Sequence, residues 1–336
     1  MKKLVLIDSN AIIHRAYHAL PPGMRNSKGE LTNAVYGFTT TLIKVLEDLK
    51  PDYISASFDV SKKTFRTEHY ADYKANRVAA DQELYDQIPR VKELLNVLNI
   101  PIYEKENYEA DDCIGTITKQ TKKSDIEIYI VTGDKDLFQL INGNIFVYSL
   151  RRGLSDMAVV DSEFIKKEYN LDPEDFIDLK ALAGDPSDNI PGVPGIGGVT
   201  ATKLLQQFDT LENLYNEINQ KSKIKSQNDK SKVKIEDIDS ASKELGIKPR
   251  ILSLLIENRD QAFMSQKLAT IHKDVPLQFN LEDCAFGEYD KDKLQAFFEE
   301  MGFRSLLKRF GAEERTEVKT EKAKEQVKKD EQLKLL

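Results

Sequence analysis

The amino-acid sequence predicts an α/β fold: a mostly parallel central sheet flanked by helices, followed by an all-helical part. Three observations lead there. Apolar runs of strand length alternate with segments of helical spacing through the first half of the chain. After about residue 161 the strand pattern fades, and an acid stands at the end of several strand runs.

Residues 4–7 form a short buried-strand run closed by Asp8. A helix is expected over 32–49, stopping before Pro51, and a strand over 53–58, again followed by an acid, Asp59. Leu84, Ile88, Val91, Leu94, Leu95 and Leu98 recur at helical spacing, with Pro89 admissible only near a helix start. Residues 100–103 read as a third strand, 110–121 as a helix, 126–132 as a strand closed by Gly133, and 145–148 as a further strand. Helices are then expected at 176–183, 200–208, 250–257 and 291–300, with the boundary between the two parts inside 160–180. Residues 221–234 hold six lysines against one aspartate and read as a basic loop, and the Glu- and Lys-rich end as a solvated helix or linker.

Composition narrows the function classes. The 336 residues carry 49 Lys and Arg against 56 Asp and Glu, a net charge of −7, and 40% of residues are hydrophobic. That is enough apolar material for a packed core. The apolar run after Met1 stops at Asp8, too short for a signal peptide, and no run approaches the roughly 20 residues of a membrane span. Cys113 and Cys284 are too few for a disulfide framework or a cysteine zinc site, and Cys113 reads as a small buried residue. The sequence predicts a soluble, cytoplasmic protein. Net acidity argues against a simple nucleic-acid coat but leaves room for a local basic surface.

Ligands of open α/β sheets gather beyond the carboxyl ends of the strands. Asp8, Asp59, Asp134 and Asp136 fall at three such ends, and Glu109, Asp111 and Asp112 open the helix after the third strand. Each acid alone has a structural explanation, since acids are common at turns and helix starts. Together, unpaired like charges repel and call for a cation. An all-oxygen set suits Mg²⁺ or Mn²⁺, and two such ions about 3.5–4 Å apart are the arrangement that hydrolyses phosphodiesters. The four histidines show no metal-ligand spacing.

The run from Gly184 to Gly198 lacks the preceding strand and third glycine of a dinucleotide site. A helix, a glycine turn and a second helix present bare backbone amides, which suits either a phosphate or an ordinary tight turn. Asp185 and Asp188 lie just upstream and extend the acidic set to nine. Residues 62–77 are net +3, with Lys62, Lys63, Arg66, Lys74 and Arg77 interleaved with Phe65, Tyr70 and Tyr73, a pattern of phosphate contacts with stacking.

The stretches DSNAIIHRAYHAL, FRTEHYADYKANR, YEADD, VTGDKD and GDPSDNIPGVPGIG, in that order, resemble the 5′-nuclease (flap endonuclease-like) family over residues 3–310. The resemblance implies a PIN-like α/β nuclease domain at 1–170 with a helical arch near 60–90. It implies a helical DNA-binding domain at 171–311 with a helix–hairpin–helix at 184–208, and a charged tail or linker at 312–336. By resemblance, Asp8, Asp59, Glu109 and Asp111 match a first metal group, and Asp134, Asp136 and Asp188 a second. Asp112 and Asp185 match supporting acids. Arg15, Lys74 and Arg77 match residues that hold the scissile phosphate. Lys63, Arg66 and Tyr73 belong to the DNA-binding arch. Gly192, Val193, Gly195, Ile196, Gly197 and Lys203 belong to the duplex-gripping turn, with K⁺ bound there.

The implied activity is a two-metal 5′→3′ exonuclease and 5′-flap endonuclease of replication and repair. Its substrates are DNA with 5′ ends or flaps and RNA primer–DNA hybrids. A monomer near the nucleoid is expected, with a DNA polymerase in cis if the chain is a fragment, or in trans if it is free-standing. Gly198 and Val199 stand where the family usually has Glu and Lys, and the basic stretch near 221–247 resembles an insertion. Two rivals remain at this point: a non-catalytic DNA-binding protein on the same fold, and a metal-dependent ribonuclease.

Overall fold

The computed structural model describes residues 1–61, 63–121, 125–154, 156–221, 235–307 and 309–310. Lys62, most of the basic stretch and the charged tail lie outside them. The α/β half runs β1 (Lys2–Asp8), α1 (Ser9–Ala19), α2 (Asn33–Leu49), β2 (Tyr53–Ser57), α3 (Phe65–His69) and α4 (Gln82–Tyr85). It continues with α5 (Ile88–Val97), β3 (Ile102–Tyr103), α6 (Ala110–Thr121), β4 (Ile126–Thr132), β5 (Ile145–Arg152) and β6 (Asp156–Val160). The sheet order is β3-β2-β1-β4-β5-β6, parallel except for the antiparallel β5–β6 pair.

β1 is buried on both faces because a parallel sheet is covered on both sides. Val5 and Ile7 enter one hydrophobic core, and Leu4 and Leu6 enter the other. The strand ends without a loop: Asp8 closes β1 and also caps α1, its carboxylate accepting from the Ala11 amide at 3.2 Å. That geometry aims the acid at the carboxyl edge of the sheet.

The expected helix over 84–98 is broken into α4 and α5, and Pro89 stands in the first turn of α5, where no intrahelical N–H is needed. The third strand shrinks to two residues, and β6 had no counterpart in the sequence reading.

The helical half comprises α7 (Ser162–Tyr169), α8 (Asp175–Ala183), α9 (Gly198–Phe208), α10 (Leu211–Lys221), α11 (Ile235–Leu245), α12 (Pro249–Glu257) and α13 (Arg259–Ala269). Helices α8 to α13 share their own core, with Leu182, Leu204, Leu214 and Leu252 among its buried members. The chain then returns to the sheet. Phe286 N–H donates to the Asp52 carbonyl at 2.9 Å. Leu294, Phe297 and Phe298 of α14 (Lys291–Met301), with Leu306 and Leu307 of α15 (Arg304–Leu307), join the core that contains Val5 and Ile7. Among the described residues, no helix is long and apolar enough to cross a membrane.

Gly184 and Gly192 close the turn between α8 and α9 back on itself. Gly192 has φ +59°, and a Cβ there would lie 2.2 Å from the Gly184 nitrogen. Gly192→Ala is therefore expected to cost at least about 2 kcal/mol through overpacking and left-handed strain. Urea denaturation reads this directly, and an unshifted midpoint would contradict the packing described.

Candidate metal centre

The carboxyl edge of the sheet gathers acids from several segments. Asp8 accepts from the Thr132 hydroxyl of β4 at 2.6 Å. Asp59, just beyond β2, accepts from the Ala110 amide at 2.8 Å and so holds the start of α6. That orients Asp111 inward. Asp134 accepts from the Asp136 amide at 2.9 Å across the turn after β4.

The charge states reveal two groups. Burial pushes Asp8 up to about 7, with Asp59 and Asp134 adding repulsion. Burial likewise raises Asp136 to about 7, and Asp134 pushes it further. Asp111 is raised well above the usual carboxylate range by burial and by Asp8, Asp134 and Asp136; Asp59 is raised by burial and by Glu109. At Asp8 and Asp111 burial and neighbouring carboxylates, not cations, set the balance.

The second group is compensated. Lys74 Nζ lies 2.9 Å from Glu109 and 3.7 Å from Asp188, and Arg77 pairs with Asp188. Burial alone would lower Lys74, but Glu109 and Asp188 outweigh it and hold it above the usual ammonium range.

A residue the sequence reading passed over, Lys180, bridges the groups. Its ammonium pairs with Asp136 and lies 2.5 Å from Asp185. Burial raises Asp185, but hydrogen bonds from Lys180 and Ser187 outweigh it and hold the carboxyl below its ordinary value. The available signal was a single cation in the otherwise apolar end of α8, Leu179 to Ala183.

The donor chemistry fits a hard divalent cation: oxygen only, gathered at one edge, and mutually repelling. Among the described residues, no three His, Cys, Asp or Glu side chains form a ready metal-binding group. Ligation therefore requires rotation of the acids toward a common point. Arg15 stands over this edge, donating to the Leu150 carbonyl at 2.6 Å with its guanidinium against Gly133. It lines a cleft of about 810 Å³ with Arg77, Asp136, Lys180 and Asp185, and Gly198 at the start of α9 borders the same cleft.

Several expected site residues have other work. Asp112 accepts from both Arg66 Nη atoms at 2.8 Å, from the Glu109 amide at 3.0 Å and from the His272 amide at 2.8 Å. Those bonds fill the lone pairs of a carboxylate, leaving none for an ion. Arg66 is 2% exposed and bonds in addition to the Leu268 and Thr270 carbonyls, so it is a structural cation and not a DNA contact. Tyr73 is also buried, with its hydroxyl 3.2 Å from both Glu109 and Asp188, and offers no ring face for stacking. Lys63 is exposed.

In the glycine turn, Val193 and Ile196 point into the helical core, and Gly192 is wedged against Gly184. The Val193 amide is taken by the Leu182 carbonyl at 2.8 Å and that of Gly192 by Ser265 at 3.1 Å. The surface left for a phosphate is Gly195, Gly197 and the uncapped start of α9, with Lys203 exposed one turn on.

The chain belongs to the 5′-3′ exonuclease family. Residues 3–170 match its N-terminal resolvase-like domain and residues 171–292 its C-terminal SAM fold. The chain is 40% identical over 308 residues to DNA polymerase I of Bacillus caldotenax, covering 92% of this chain and 32% of that protein. It is 40% identical over 310 residues to DNA polymerase I of Bacillus subtilis, with the same coverage, 92% and 32%. It thus spans about a third of the length of these relatives. Among solved structures it resembles T5 5′-exonuclease with divalent metal ions (zinc) bound, at TM-score 0.61 and 19% identity, covering 89% of this chain and 98% of that one. It also resembles the catalytic core of Rad2 in complex with DNA substrate, at TM-score 0.54 and 20% identity, covering 90% and 88%. At these identities the likeness shows the shared fold.

Two predictions follow from the charge pattern. Arg66→Ala should cost about 3–5 kcal/mol in urea denaturation by stranding Asp112, whereas the paired change Arg66→Met with Asp112→Leu should recover much of that loss. If the double variant were as unstable as the single, the ion pair would not be the cause. Asp8 and Asp136 are held about 7 in the folded state against an ordinary 3.8, so the stability they contribute is present below pH 3.8 and lost as pH rises to about 7. In EDTA the chain should therefore be less stable at pH 8 than at pH 5, with Mg²⁺ reversing the loss; a stability flat across that window contradicts the assignment.

Proposed function

We propose that this chain is a divalent-metal-dependent nuclease that cuts phosphodiester bonds at 5′ ends and at the base of 5′ flaps of DNA, and in the RNA of primer–DNA hybrids. The observation that carries this reading is the crowd of acids at the carboxyl edge of the sheet, Asp8, Asp59, Asp111 and Asp136, whose carboxyls are all pushed upward. At the same edge Asp134, Asp136 and Asp185 line a cleft together with the cations Arg15, Arg77, Lys135 and Lys180. Family membership supports it, as does the likeness in fold to a Rad2 catalytic core in complex with DNA substrate.

Asp8, Asp59, Asp111, Asp134 and Asp136, with Asp185, Asp188 and Glu109 at the edge, would hold two Mg²⁺ or Mn²⁺ ions. When bound, such ions lower the pKa of the attacking water and stabilise charge on the phosphorus oxygens. The remaining chemistry belongs to the cations of the cleft. Lys74, Arg77 and Lys180 each exchange a carboxylate partner for a phosphodiester oxygen, one oxyanion for another, and Arg15 orients the same group. Holding the phosphate at several points supplies positioning, which turns a bimolecular attack into an effectively unimolecular one.

In the division of labour, residues 1–170 carry most of the chemistry, Lys180, Asp185 and Asp188 of the helical part join it, and the rest of 171–311 grips duplex. The exposed glycines Gly195 and Gly197 and the start of α9 would meet a phosphate, and a K⁺ held at the turn would add positive charge there. Val199, 76% exposed, stands where a polar contact would serve better. Contacts of this kind follow the backbone and carry no base code. The chain acts as a monomer in the bacterial cytoplasm, near the nucleoid, and works with a DNA polymerase in cis or in trans.

The test is a 5′-labelled flap duplex in Mg²⁺, with and without EDTA. Cleavage near the flap junction is expected, lost with EDTA and lost at least about a thousandfold in Asp136→Asn and Asp111→Asn. Lys74→Ala should lower turnover about a hundredfold with little change in binding, the mark of an interaction made mainly in the transition state. Tight flap binding without cutting in either metal would overturn the proposal in favour of a binding protein.

A further inference from the structure

A second cavity, of about 850 Å³, lies between α3 and α13. Its walls are aromatic and aliphatic, with Phe65 on one side and Phe263, Met264 and Leu268 on the other, and Arg259, Lys267 and His69 stand at its rim. Asp260 is the acid among the lining residues, 3.9 Å from Arg259. The Arg259 guanidinium lies over the Phe263 ring at 4.9 Å, and its buried Nε has no hydrogen-bond partner in the structure. A buried donor without an acceptor asks for one. Phe65 and His272 line the cavity and form a ring cluster with Tyr108 outside it, with centroids 5.5–5.9 Å apart.

The position of this cavity gives it a ligand. Residues 72–77 are latched onto the turn before Gly192: Lys74 N–H donates to the Asp188 carbonyl at 2.9 Å, Asn76 to Pro186 at 2.7 Å, and Asn189 to Asp72 at 2.6 Å. The metal-rim cleft, lined by Arg77, lies at one end of this strip, and the second cavity, lined by Phe65, Arg66 and His69, lies at the other. Leu268 and Met264 line the second cavity and also pack with Tyr73 and Ile190, the apolar residues of the strip and the turn.

We propose that this cavity is a nucleotide subsite for the single-stranded 5′ portion of the substrate, beyond the bond that is cut. The base packs against Phe65 and Phe263, and the phosphate is met by Arg259 and Lys267. Aromatic walls with cationic rims suit a single strand, because every base has a π-face and every linkage an anion. This inference rests on the nuclease reading for the identity of the strand, but its test is a binding measurement.

Anisotropy in EDTA compares a duplex bearing a ten-nucleotide 5′ flap with the same duplex without one, for the wild type, Lys267→Glu and Phe263→Leu. Each variant should weaken flap binding about tenfold and leave the flapless duplex within about twofold. Lys267 is exposed, so its substitution leaves the fold intact, and the result stands on it if Phe263→Leu melts early. Equal weakening of both duplexes would show general electrostatics, and no change in either would show an empty cavity; both overturn the subsite. Competition by free dTMP but not by the flap would reassign the cavity to a mononucleotide and overturn it as well. Failure of the nuclease reading shows separately, as absent cleavage by wild type in Mg²⁺.

Discussion

The buried pair between Arg66 and Asp112 is the constraint on which the site's architecture depends. Through one guanidinium and one carboxylate, α3, the first turn of α6, and the segment leaving α13 are tied together. Two charges this deep are costly to desolvate, and only full hydrogen bonding offsets the cost. Here the pair is fully bonded. The result ties α3, and with it the following segment that carries Lys74 and Arg77, to the helix that carries Asp111.

Around that pair the acids divide by whether a cation of the chain reaches them. Glu109 and Asp188 have Lys74 and Arg77, and Asp185 has Lys180. Asp8, Asp59 and Asp111 are held by neutral donors or crowded by other carboxylates, and they are shifted upward in consequence. In a purely structural network such repulsion would be offset more fully; here burial and neighbouring carboxylates outweigh the help that Lys74, Arg77 and neutral donors give. The imbalance belongs to a site that completes itself with a ligand, as perturbed acids in clefts commonly do. Lys180 sits between the two groups and relays the charge of Asp136 to the turn that carries Asp185.

The α/β half was legible in the sequence because a parallel sheet buries both faces of its strands, and unbroken apolar runs such as that of β1 and β4 betray it. The acids at strand ends were legible for the same reason: in β1 the last strand residue is also the cap of the next helix, which leaves its side chain at the edge. β6 was missed because its outward residues are half-exposed and its strand is an edge. The return of α14 and α15 to the sheet left no signal, since an amphipathic helix does not state which core its apolar face will cover.

What the sequence determined by itself is therefore the order of elements and the identity of the acids and cations, because those follow from periodicity and from residue types at strand ends. Which charges neutralise one another was decided only by the tertiary structure. Asp111 and Asp112 are adjacent in sequence and alike in type, yet Asp112 is filled by Arg66 and backbone amides while Asp111 is crowded by Asp8, Asp134 and Asp136. Arg66 and Tyr73, which belong in sequence to a basic, aromatic surface run, are drawn inside for the same reason. A buried ion pair forms across residues 66 and 112. Pairing at that separation is set by packing in three dimensions, and no local spacing encodes it.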